Sequence, residues 1–139
     1  MKTKRRDTRT LDDILQSTSD VLFPADLGRR KVKPRSRDVE GDTPLHVMAW
    51  RNDVRGAELL IAEGVNVNAI GDMSETPLHV AVRNGNLRLI AALLKAGAKV
   101  GIRSEFGATP AEMAAELGGG IAKLFNKAPN NRLQRTGNG

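Results

Sequence analysis

Two histidines, His46 and His79, have the widest chemical repertoire of any residues in this chain, and each follows a Thr-Pro-Leu triplet. An imidazole can act as a general base, ligate a metal or join a scaffold through hydrogen bonds. Base catalysis would need a nucleophile and an orienting group at a workable spacing, and neither accompanies these residues. A metal centre would need further Cys, His or carboxylate ligands converging nearby, and the chain has no cysteine. The lack of cysteine also removes disulfide frameworks and thiolate nucleophiles. The triple glycine at 118–120 has no flanking strand and no Gly-Lys-Ser/Thr, so it is read as an inter-helix turn rather than a phosphate cradle. No catalytic residue, metal, cofactor or small-molecule substrate is therefore expected.

The elements around the histidines point to the scaffold role. In "DTPLHVMAW", Thr43 is placed to cap a helix and Pro44 to occupy its first position, where a missing N–H costs nothing. A short helix should start there, break at "RND" and be followed by a second helix over about Val54–Ala62, with Ala57, Leu60 and Ile61 on one face. Gly64 supplies a stop. The segment "VNVNAIGDMSE" has no helical period and reads as an extended excursion with a tight turn at its tip.

This pattern recurs. Residues 42–68 align with 75–101 and then with 108–125, so that Thr43, Thr76 and Thr109 fall 33 residues apart, followed by Pro44, Pro77 and Pro110. Two short antiparallel helices and a projecting turn at this period, with TPLH twice in register, resemble the ankyrin repeat over about residues 38–128. The resemblance implies an all-α solenoid of stacked helix-turn-helix units. It would contain about two full repeats (38–70 and 71–103), a degenerate C-terminal capping repeat (104–128) and an N-terminal capping helix. It also implies that His46 and His79 tie the turn of one repeat to the next. Departures from the family pattern are Asn52 for the usual inter-helix glycine and Gly71 for a turn aspartate. The third unit has Ala111-Glu112 for Leu-His and a second helix about two residues short.

A stack of so few repeats leaves one end wet unless something covers it. "TLDDILQSTSDVLFPADL" is the candidate, since Thr10 and Asp13 have capping-box spacing and Leu11, Ile14 and Leu15 share a helical face. With Val21, Leu22 and Phe23 it should pack on the first repeat; the alternative is a helix that docks on a partner. Residues 1–37 carry 11 Lys/Arg against 5 Asp/Glu, whereas 38–128 carry 9 against 11. Within the basic N-terminal segment, "GRRKVKPRSRD" is either a solvated linker or a phosphate-binding arm, and with "KTKRR" it would suit nuclear import in a eukaryote. Residues 129–139 read as a disordered tail. No signal-peptide core and no bilayer-length apolar run is present, so an intracellular, cytoplasmic setting without membrane contact is expected.

The positions that the framework does not need are the candidates for binding. By the register of the resemblance these are Val39, Glu40 and Asp42, then Asp72, Met73 and Glu75, then Glu105 and Phe106 at the turn tips. On the first helices they are Trp50 with Arg51 and Arg83 with Asn84. Trp50, Met73 and Phe106 are large apolar residues where polar ones would serve a pure scaffold. The alternative has Trp50 covering the cap helix and Phe106 packing on its own turn. The expected function is non-enzymatic: binding of another protein that offers a basic patch and apolar pockets, with an inhibitor or immunity-like antagonist as one form. The alternative is a nucleic-acid-associated or nuclear regulator that uses the basic arm.

Overall fold

The computed structural model describes residues 6–128. Among these residues there are eight α-helices and no strand. None of the helices is long and apolar enough to cross a membrane. The tail 129–139 and most of "KTKRR" lie outside the described residues.

Helix α1 (Leu11–Gln16) starts at a reciprocal capping box between Thr10 and Asp13, and its buried side chains are Ile14 and Leu15. A short α2 (Ser19–Leu22) follows, of which Leu22 is buried while Val21 stays 43% exposed, so Val21 faces water instead of the first repeat. Three helix pairs come next: α3 (Pro44–Trp50) with α4 (Val54–Ala62), α5 (Pro77–Asn84) with α6 (Leu87–Lys95), and α7 (Pro110–Leu117) with α8 (Gly119–Lys127). The first helices stack as α3 on α5 on α7, the second helices as α4 on α6 on α8, and α1 closes the open side of α4. One continuous core runs through the stack, with Leu45, Met48, Leu60, Leu78, Leu89, Ile90 and Leu93 fully buried.

All three first helices begin alike, with proline at the start and threonine as the cap. Each pair then reverses through a residue with positive φ: Asn52 (57°), Gly85 (67°) and Gly118 (69°). Asparagine tolerates this left-handed geometry better than most side chains, which explains how it replaces glycine at 52. The tips close alike as well. The N–H groups of Asp38, Gly71 and Ser104 donate to the carbonyls of Asp42, Glu75 and Ala108 at 2.9, 2.9 and 3.0 Å.

The third unit differs from expectation. Helix α8 has nine residues, as many as α4 and α6, and is not shortened. Gly118 alone makes the turn, acting both as C-cap of α7 and N-cap of α8, and Gly119 and Gly120 already belong to α8. One connecting residue is lost, so Phe125 enters the core where Leu60 and Leu93 do in the earlier units.

Candidate functional site

The histidines are held at both ring nitrogens. The backbone N–H of Thr43 donates to His46 Nδ1 at 3.1 Å, and His46 Nε2–H donates to the Glu75 carbonyl at 2.9 Å, 29 residues away. His79 repeats the arrangement, with Thr76 N–H on Nδ1 at 3.0 Å and the Ala108 carbonyl on Nε2–H at 3.1 Å. Each ring therefore fastens its own helix start to the next tip and has no nitrogen left for a metal or a proton relay. Burial pushes the His46 pKa down from 6.5 to about 4, against the pull of Asp42 and Asp38. Burial also lowers that of His79.

In the last unit Glu112 takes the histidine's place. It accepts the Thr109 N–H at 3.1 Å, as Nδ1 does elsewhere, and meets Arg103 through two bonds of 2.9 and 3.0 Å. Among the described residues no tip follows α8, and Glu112 holds its own helix start and Arg103 alone.

The tips are chained to one another. Asp42 reaches across to accept the Asp72 N–H at 3.0 Å, and Glu105 N–H donates to the Met73 carbonyl at 2.9 Å. A Cβ on Gly71 would stand 1.9 Å from Asp42 Oδ1, so glycine at that position makes room for the carboxylate. Burial pushes the Asp42 carboxyl pKa up, opposed by the Asp72 N–H it accepts.

Between tips and first helices lies a groove of about 480 Å³, and it gathers Trp50, Met73 and Phe106, one from each successive unit. They are 42%, 38% and 66% exposed. The Trp50 ring leans toward His46 with centroids 6.2 Å apart. Arg83 is ion-paired with Glu75 within this groove, and Asp72 stands exposed beside Met73. Among the described residues, neither the Asp72 nor the Glu105 carboxylate has a cationic partner.

Several candidates sit elsewhere than expected. Asp42 and Glu75 are buried, 5% and 8% exposed, because stacking of neighbouring tips covers them; they form the floor of the groove and not its rim. The Arg51 guanidinium is bound to Ser17 Oγ and to the Ser17 carbonyl, both at 3.1 Å, and so fastens α3 to the cap. The Asn84 amide donates to the Ala49 carbonyl at 3.1 Å and to Asn52 Oδ1 at 3.3 Å, joining α5 to the end of α3. Val39 is 99% exposed and, with Glu40 and Glu105, does not line the groove. Sequence reasoning passed over Val80, Ser104, Ala108 and Met113, which also line it. The 33-residue register would have found Met113 and Val80, since they fall on the same first-helix face as His46 and Trp50.

Three stacked helix pairs, with projecting tips bound to them by buried histidines, define a helical repeat solenoid. The family model described as ankyrin repeats in three copies matches residues 22–104 and, overlapping them, 52–133, and the chain belongs to that family. A search of curated proteins found no match. Ankyrin repeats are generally protein–protein interaction modules and are typically non-enzymatic.

Proposed function

We propose that the groove binds a segment of another protein that presents an arginine or lysine beside apolar side chains. The observation that carries this reading is the convergence of Trp50, Met73 and Phe106 from three successive units onto one groove. A scaffold alone gains nothing from leaving them half in water. The unpaired Asp72 carboxylate in the groove, with that of Glu105 on the tip between the lining residues Ser104 and Phe106, supplies the charge complementarity, and Glu75, held by Arg83, supports the floor. The tips are locked to each other and to the helices before any partner arrives, so little ordering entropy is lost on docking. A partner whose working surface is itself basic would be masked by such docking, which is the antagonist form of the same function. A cytoplasmic setting agrees with this reading.

The test is to capture partners on the wild type and on Trp50→Ala/Met73→Ala/Phe106→Ala, after far-UV circular dichroism has established equal helicity, and to map the bound segment by cross-linking. Trp50→Ala alone should weaken binding by about 30-fold, the equivalent of about 2 kcal/mol for a buried anchor. Asp72→Lys/Glu105→Lys should slow association. A partner that binds the triple variant as well as the wild type refutes the proposal, as does a mapped segment without a cation.

A further inference from the structure

The basic segment "GRRKVKPRSRD" is not a free arm in the folded chain. Gln16 Nε2 donates to the carbonyls of Gly28 and Arg30, both at 3.1 Å, and Ser19 Oγ donates to the Arg30 carbonyl at 2.7 Å. Val32 is 3% exposed and belongs to the core. Lys33 and Ser36 close a turn on each other, with the Lys33 N–H on Ser36 Oγ at 2.8 Å and the Ser36 N–H on the Lys33 carbonyl at 3.0 Å. The strap is thus tied down along its length, and its side chains divide into two sets. Val32 points inward and residues 34, 36 and 38 are partly covered, while Arg29, Lys31, Lys33, Arg35 and Arg37 are all exposed.

One strap cation, Arg30, is exposed like the five but already paired. Arg30 is neutralised by Asp26 at 2.7 Å and lies over the Phe23 ring at 4.3 Å. Among the described residues none of the five odd-numbered cations has an ion pair, and Arg35 makes only a 3.3 Å bond to the Gly64 carbonyl. Five like charges held on one strap repel one another, and a strap that served only to cover the core would not need them.

We infer that this strap is a preordered ridge that binds the phosphate backbone of a nucleic acid, independently of the groove. Past the bend at Arg30, the alternate residues Lys31 and Lys33 are about 7 Å apart in a non-helical chain, comparable with the step between neighbouring phosphates on a nucleic-acid strand. No aromatic side chain interleaves the cations, so bases are not stacked and recognition is independent of sequence. Exposed Leu27 and Val39 flank the strap but do not interleave its cations, which favours a polyphosphate strand over an anionic membrane.

The experiment uses the full chain and two labelled probes, a 20-base-pair DNA duplex and a 20-nucleotide RNA, titrated by fluorescence anisotropy from about 50 to 200 mM salt. Arg29→Gln/Lys31→Gln/Lys33→Gln should weaken duplex binding by at least about tenfold at the low-salt end and flatten the log–log salt slope by about 2.7, three contacts at about 0.9 each. Lys95→Gln/Lys123→Gln/Lys127→Gln removes as much charge from α6 and α8 and should change affinity by less than about twofold. Equal losses in the two variants, or no loss in the first, would assign the affinity to diffuse charge or to the chain ends and overturn the inference. So would absence of binding to both probes, or binding to phosphatidylserine vesicles in preference to either. Groove variants that leave this titration unchanged keep the two surfaces separate.

Discussion

Acid should loosen the stack through His46. In the folded chain this ring is 1% exposed, and burial holds its pKa near 4 instead of 6.5. Unfolding returns the imidazole to water and to its ordinary pKa. Between pH 6.5 and 4 the unfolded chain therefore binds more protons than the folded one, and stability falls as pH falls. Above pH 6.5 the contribution is fully present. By pH 5 a displacement of this size removes about 2 kcal/mol, and at its limit about 3 kcal/mol. His79, whose pKa is also lowered by burial, adds to the loss. Asp42 works the other way: its buried carboxyl holds a proton more tightly when folded, so it offsets part of the loss at the acid end.

Urea denaturation followed by far-UV circular dichroism measures the effect. With a slope of about 2 kcal/mol per molar, the midpoint should drop by about 1 M between about pH 7.5 and 5. His46→Gln should be less stable at neutral pH, since the Glu75 carbonyl and Thr43 N–H lose their partner, yet its midpoint should change less with pH than that of the wild type. A wild-type midpoint that stays constant over this range, or a variant that falls just as steeply, would refute the assignment to this ring.

Two further substitutions test the tips by thermal or urea unfolding. Gly71→Ala should cost about 1–3 kcal/mol, because the new methyl would meet the Asp42 carboxylate and force it off the Asp72 N–H. An unchanged midpoint would mean that Asp42 does not join the tips. Ser74→Gly should instead stabilise by up to about 1 kcal/mol, because Ser74 has φ of 58° where the equivalent Gly41 and Gly107 stand at 92° and 87°. A loss of stability there would show that the second tip needs its side chain.

The framework was legible in the sequence because its signals are local and repeated. A Thr-Pro start, a positive-φ turn and a helix stop each act within about one helical turn, and the 33-residue period shows the first two three times and the glycine stop twice. The cap could be read for the same reason, since Thr10 and Asp13 satisfy one another without outside help. What escaped depends on contacts between units. The burial of Asp42 and Glu75 follows from tips that lie 33 residues apart and touch only once stacked, and nothing near either carboxylate announces it. The same holds for Arg51 and Asn84, which look like free surface residues until the cap and the neighbouring first helix arrive beside them. Phe125 was hidden differently. A 33-residue alignment compared it with the wrong position, because a single lost connecting residue moved α8 forward and kept its length intact.

Glu112 shows how far the periodic logic extends. A histidine in this fold fastens a helix start with one nitrogen and the next tip with the other, so its second function requires a following unit. In the third unit a carboxylate accepts the Thr109 N–H in the same way and takes Arg103 as its second partner. A glutamate cannot donate to the carbonyl of a following tip, so a chain engineered to pack a further unit on α7 and α8 should need histidine restored at that position.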